Sequence, residues 1–256
     1  MSVVPTDIER YNRDFYERCW RAGSLLPMPG VEIPAGPLGL RVEIGCGLRP
    51  RLPLTEAVFV DVSPTACRKL RRAGAPVICG RVESLPFRDG AVTQIAAFDL
   101  LEHLEDDRGA VRELARVVAT GGTLVLSAPL HAHAWQEFDR LVGHARRYEP
   151  DALVALLVSH GFTLEAFAPF GVRPRSSLLN RLGAYYLRRW PRIALWFSER
   201  FLVLFRPAAP AFVSGDVRDF VRGVSGAVGA VTAWRREADG ASPAQSLFNP
   251  SSAATL

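Results

Sequence analysis

Between residues 38 and 171 the chain alternates short apolar runs with longer polar stretches whose apolar residues recur at helical spacing. The runs predict buried strands near 40–44, 57–60, 76–79, 92–98 and 122–128. The stretches near 64–73 and 106–119 predict helices, with Asp61 and Ser63 as cap-like residues before the first. Strands alternating with crossover helices are the pattern of a parallel sheet covered on its faces, an α/β fold. Past Pro129 a loop rich in His and aromatic residues leads to an apolar-periodic helix near 150–159 and a strand at Phe162 to Phe167. Upstream, residues 7–23 mix charged and apolar positions as an amphipathic helix that ends at Gly23.

These patterns divide the chain into four parts. Residues 1–37 form an N-terminal helical lid with a Pro/Gly-rich connector, and residues 38–171 form the core. Residues 172–236 form a helical cap or insertion and a final strand, with strand-like content at 225–235. Residues 237–256, rich in Ser, Ala and Pro, are expected to be a disordered tail. No internal repeat is visible.

Composition narrows the class without naming it. Apolar residues make up 48% and charged residues 22%, enough for a packed core and unlike a disordered polymer. Residues 1–13 lack the apolar core of a secretory signal, so a cytoplasmic protein is expected. Cys19, Cys46, Cys67 and Cys79 show no CxxC spacing, so neither a disulfide framework nor a cysteine-held zinc is expected. The net charge of +5 is carried almost wholly by arginine, since Lys69 is the one lysine, and does not by itself argue for nucleic acid. Glu199, Arg200 and Arg206 break the most apolar stretch below the ~18 residues a membrane span needs.

Two runs carry candidate chemistry. Leu40 to Gly47 (LRVEIGCG) is an apolar strand containing Glu43 that runs into Gly-x-Gly, where glycine lets the backbone turn sharply and approach a ligand. The third glycine of a dinucleotide fingerprint is replaced by Pro50, which has no amide to offer a pyrophosphate and lowers a nicotinamide reading. Val58 to Asp61 (VFVD) ends a second strand with a carboxylate, suited to accept both hydroxyl protons of a ribose. Together the two runs suggest a nucleoside ligand, although Gly and Asp also dominate ordinary turns.

At this point the chain resembles the class I S-adenosylmethionine (SAM)-dependent methyltransferases of the type 11 group, which includes ubiquinone- and menaquinone-biosynthesis enzymes. VEIGCG (42–47), VDVSP (60–64), ESLPFRDG (83–90), FDLLEHLED (98–106), ELARVVATGGTLVLSAP (113–129), GHARRYEP (143–150) and SHGF (159–162) match its patterns in order. The resemblance covers roughly residues 38–170. It implies a Rossmann-like sheet of about seven strands with the last pair antiparallel, and SAM as cofactor with S-adenosylhomocysteine as product. It also implies that Glu43 orients the glycine loop near the methionine amino group, and that Gly45, Cys46 and Gly47 line the methionine and ribose. Asp61 would bind the ribose, Val82 would meet the adenine through its backbone, and Phe98 would offer its carbonyl. Arg81 departs from the pattern: the family usually has an acidic residue there, and an arginine cannot accept the adenine amino proton.

Methyl transfer to a protonated oxygen or nitrogen needs a general base. His103, past the fourth strand, and His131, past the fifth, are candidates at strand ends; His144 is a third in the adjoining loop with His133, and His160 is read as structural. Surface or capping roles fit each of them as well. Tyr11, Arg147 and Tyr148 are candidate substrate contacts, and His144, Arg146, Arg147 and Tyr148 fit equally a salt-bridged loop bracing the sheet. Asp99, Glu102 and His103 resemble a divalent-metal arrangement of some ubiquinone-pathway O-methyltransferases, but a loop or helix-start role is preferred and no metal is expected.

Residues 176–206 combine Arg with Tyr, Trp and Phe and read first as a helical cap. A dimer surface or peripheral contact with a membrane surface are the other readings. The expected function is methyl transfer to a small-molecule acceptor, apolar or lipid-like, by a monomer or homodimer. Two alternatives stay open: a SAM-binding scaffold without transfer, suggested by Arg81 and by Thr93 where the family commonly has Asp, and a nicotinamide-dependent oxidoreductase. No Asn/Asp-Pro-Pro-aromatic motif follows the fourth strand, so nucleic acid is not the expected substrate.

Overall fold

The computed structural model describes residues 7–27, 33–34, 36–170 and 211–238, with six single residues between 182 and 193. Most of the expected segment 176–206 and the tail beyond 238 therefore lie outside the described residues.

Five parallel strands, β1 (Arg41–Ile44), β2 (Val58–Asp61), β3 (Val77–Cys79), β4 (Val92–Phe98) and β5 (Val118–Pro129), form the first part of one sheet. They are followed in sequence by β6 (Phe162–Phe170), β7 (Val213–Ser214) and β8 (Gly229–Arg236), and the spatial order is β3-β2-β1-β4-β5-β8-β6-β7. β8 inserts antiparallel between β5 and β6, so the antiparallel end expected from the family resemblance is present. The sheet has eight strands rather than about seven because the two-residue β7 adds a pair to the edge of β6.

The central strands are buried on both faces and read as continuous apolar runs for that reason. β5 begins four residues before its expected start, where Val118 pairs with Val92, and the register shifts before Thr123 meets Gln94. Helix α1 (Asp7–Ala22) lies upstream of the sheet, and α2 (Pro64–Arg72), α3 (Asp107–Val117), α4 (Glu137–Val142), α5 (Pro150–Val158) and α6 (Val217–Gly223) follow. Ser63 caps α2 by accepting from the Ala66 amide at 3.1 Å, with Pro64 preset for the first turn. α6 precedes the strand-like content expected at 225–235, where β8 begins at Gly229; the helix start is marked by Asp216 and Asp219, which cap each other's backbone. Phe220 of α6 and Trp234 of β8 are fully buried in the main core. Among the described residues no helix is long and apolar enough to cross a membrane.

Sequence order places the ligand crevice. The chain builds outward from β1 to β2 and β3, then returns to lay β4 on the other side of β1. Loops leaving β1 and β4 diverge there, opening a crevice at the carboxyl ends of the strands.

Candidate active site

A cavity of about 740 Å³ occupies that crevice. Its walls include Gly45, Cys46 and Gly47 after β1, Asp61 at the end of β2, Val82 after β3 and Phe98 at the end of β4. Glu43, His103, His144 and Arg147 also reach it, so most of the residues singled out from the sequence converge on one space.

The glycine loop is clasped by two buried carboxylates. Asp61 accepts from the Gly47 amide through one oxygen and from the Ser63 amide through the other, each at 2.8 Å. Glu43 accepts from the Arg51 amide with both oxygens (3.0 and 2.9 Å) and from the Leu52 amide at 2.8 Å. Burial lifts Glu43 to about 7 against these amides, which favour its ionised form, and burial likewise raises Asp61. Gly47 has a φ of +55°, and a Cβ there would stand 2.3 Å from the Trp20 ring, so both backbone and space require glycine. The loop is thus a cradle in which any side chain would displace the lid.

That lid is α1, which sequence reading placed but did not connect to particular partners. Asn12, Tyr16 and Trp20 line the cavity from this helix. Glu17 holds the helix to the start of α2, accepting from the Ser63 hydroxyl at 2.7 Å and the Thr65 hydroxyl at 2.6 Å. Burial would raise the Glu17 carboxyl, but those hydrogen bonds outweigh it and hold the group below its ordinary range. Lys69 of α2 caps the far end of α1 by donating to the Trp20 carbonyl at 2.6 Å and to that of Gly23.

Opposite the glycine loop lies a polar cluster. His103 donates from Nδ1 to the Gly143 carbonyl and accepts at Nε2 from the Tyr16 hydroxyl, both at 3.3 Å, an assignment forced by the carbonyl. Burial, with His144 alongside, pushes His103 down to about 3, so the ring is neutral. Glu102 is buried with both oxygens unpartnered, and burial together with Asp99 raises its carboxyl well above the ordinary range. His144 donates from Nδ1 to Asp139 at 2.8 Å, and Arg147 donates Nε to the same oxygen at 2.9 Å. Burial acts to raise Asp139, but those two donors outweigh it and keep the carboxyl ionised. The His144 Nε2 is left facing Glu102 at 3.9 Å on the cavity wall.

Three candidates lie elsewhere. His131, at a φ of +63°, does not line the cavity, and its Nε2 donates to the Val224 carbonyl at 3.0 Å. The Tyr148 hydroxyl donates to Asp107 at 2.8 Å and braces the start of α3, while that of Tyr11 donates to the Leu141 carbonyl at 2.8 Å. Asp99 is held by Ser127, whose hydroxyl donates to its carboxylate at 2.7 Å, and does not join the ligand atoms that Glu102, His103 and His144 bring together. Arg81, where the family usually has an acidic residue, pairs with Glu83 at 3.0 Å on the cavity wall.

Arg51 and Asp139 are two more cavity residues that the sequence did not single out. Arg51 stacks its guanidinium 4.5 Å from the centre of the Phe98 ring, and nothing in its spacing announces this. Asp139 stands five residues before His144 with a chain-reversing Gly143 between them, a spacing that becomes a contact only when the helix ends there.

Comparison with known proteins fits this geometry. The type 11 family described as "Methyltransferase domain" matches residues 42–126. A protein of Mycobacterium tuberculosis named probable S-adenosylmethionine-dependent methyltransferase is 30% identical over 130 residues, 47% of this chain and 47% of its own. An uncharacterized protein of Methanocaldococcus jannaschii is 28% identical over 126 residues, 49% of this chain and 60% of its own. The chain thus spans about half the length of the curated relatives it matches. Among solved structures, a SAM-dependent methyltransferase of Thermotoga maritima, a possible histamine N-methyltransferase, superposes with a TM-score of 0.55. It shares 16% identity, with 90% of this chain and 91% of that one covered. The (4+2)-cyclase SpnF superposes at 0.54 with 17% identity, covering 91% and 98%. At such identities the superpositions establish the fold and leave the chemistry to the site.

Proposed function

We propose that the chain, whose residues 42–126 match the type 11 methyltransferase family, transfers the methyl group of SAM to a small-molecule acceptor. One observation carries the reading: the clasped glycine loop and His144, its Nδ1 held by Asp139, line a single cavity. Gly47 and Asp61 offer a side-chain-free turn beside a strand-end carboxylate, a donor and acceptor set that suits the nucleoside of SAM. Bound there, SAM supplies a sulfonium methyl whose carbon accepts the acceptor's lone pair as the carbon–sulfur electrons return to sulfur.

The chain's own part is to align, to exclude water and to take a proton. Asp139 fixes the proton of His144 on Nδ1, so Nε2 offers its lone pair to an acceptor hydroxyl or amine, an orienting role like that of the acid in a catalytic triad. The lid residues Tyr16 and Trp20 close the cavity above the loop and keep solvent from the reacting atoms. Testing uses a calorimetric titration with SAM and S-adenosylhomocysteine, then a panel of hydroxyl and amine acceptors with methyl-labelled SAM. His144→Ala is expected to lower transfer by about 10²–10⁴-fold while leaving SAM affinity within about twofold. Unchanged transfer in that variant would remove His144 from the mechanism. SAM binding without transfer to any acceptor would favour the alternative, a scaffold, for which the Arg81–Glu83 pair is the motivating observation.

Glu43 sets an expected pH dependence. Its carboxyl is lifted to about 7 when folded, so the folded chain keeps a proton that the unfolded chain gives up near 4.5. Stability contributed by that group therefore falls as pH rises from about 4.5 to about 7. Cofactor affinity moves the other way, because only ionised Glu43 both holds the loop amides and attracts the methionine ammonium. Affinity measured from pH 5.5 to 8.5 should rise and level off above about 7, and Glu43→Gln should flatten the curve. A profile identical in wild type and variant would exclude Glu43 as its cause.

A further inference from the structure

The histidine that does not line the cavity enters a second constellation. His131, His133 and Glu149 each bring one ligand atom to within 4.8 Å of the others, on the outer side of the loop that follows β5. We propose that these three side chains form a site for a first-row divalent transition metal, with zinc as its simplest occupant, separate from the methyl-transfer cavity.

The arrangement around the trio is what distinguishes it from a chance meeting. The His131 Nε2 must carry a proton, because its partner, the Val224 carbonyl 3.0 Å away, can only accept. This tautomer leaves a lone pair on Nδ1, and Nδ1 faces Glu149 Oε2 at 3.6 Å. A hydrogen-bonded pair of these atoms would stand closer, near ~2.8 Å. Two tetrahedral zinc ligands at ~2.0–2.2 Å from the ion stand ~3.4 Å apart, close to the spacing seen. The other oxygen of Glu149 accepts from the Ala132 amide at 2.9 Å, which fixes the carboxylate and leaves Oε2 directed at the ring.

A metal-bound imidazole commonly donates its second nitrogen to a backbone carbonyl, and a ligating carboxylate is commonly held by a further hydrogen bond. Both conditions are met. The His133 ring lies 5.3 Å from that of His131, centre to centre, and completes a two-histidine, one-carboxylate set that suits zinc, iron, cobalt or nickel better than magnesium or calcium. An ion there would tie residues 131–133 to Glu149 at the start of α5, fixing the far end of the loop that carries His144.

The full chain, stripped with chelator and dialysed, would be titrated with zinc chloride in a non-chelating buffer. One equivalent should bind with a dissociation constant in the micromolar range or tighter. His133→Ala and Glu149→Gln should each weaken binding at least tenfold; the glutamine keeps an oxygen for the Ala132 amide, so the fold is preserved. Cobalt in place of zinc should give visible absorption in the wild type that both variants lose. SAM affinity, read in the same variants, should be unaffected, which separates failure here from failure of the methyl-transfer reading. No binding, or binding that survives both substitutions, overturns the proposal. So does binding lost only in Glu102→Gln, which would put the ion in the cavity.

Discussion

Asp61→Ala is expected to weaken binding of SAM and S-adenosylhomocysteine at least a hundredfold. The carboxylate holds the amides of Gly47 and Ser63, and it stands where the ribose hydroxyls would donate. Hydrogen bonds to a charged group contribute about 1.5–3 kcal/mol each, so losing two removes about 3–6 kcal/mol, or about 10²–10⁴ in affinity. Asp61→Asn keeps one acceptor oxygen but presents an amide to a second amide, and should fall between wild type and Ala. Calorimetry on all three proteins reads the effect, with circular dichroism to verify the fold. Wild-type affinity in the alanine variant would mean that the cofactor does not rest on this strand end.

Asp139→Ala should produce the largest loss of stability among single changes near the cavity. Asp139 is fully buried, and Arg147 beside it is nearly so. Removing the carboxylate leaves a buried guanidinium and a buried imidazole without their shared acceptor, which costs about 3–5 kcal/mol. For a chain of this size that corresponds to a fall in melting temperature of about 6–20 °C. Asp139→Asn retains an acceptor for His144 and should recover part of the stability but little transfer, since the ring proton is no longer fixed. The pH response has a definite sign. The folded carboxyl ionises below its ordinary value, so its contribution is full above about 3.8 and is lost as pH falls through the lower folded value. Equal melting temperatures for wild type and alanine variant would show that Arg147 finds another partner.

The parts of the site legible in sequence were those that a short contiguous run encodes. LRVEIGCG and VFVD each contain a strand, its exit and the ligand-facing residue, because in a parallel sheet the functional loop follows its strand directly. Contacts between distant runs were not legible. Glu17 meets Ser63 and Thr65 across more than forty positions, and Asp139 meets His144 only because Gly143 takes a left-handed turn. His131 was read as a candidate because it follows a strand end, yet its ring is bound to the Val224 carbonyl outside the cavity lining, a long-range contact that residue type does not reveal.

The chain's single lysine is the residue that fastens the end of α1 to α2. Its ammonium is engaged with two carbonyls while the helix is seated, and an engaged ammonium is not a nucleophile. Acylation of Lys69 is therefore expected only when the helix has lifted. With Lys69 the one lysine side chain, its labelling rate is expected to report how often α1 leaves α2.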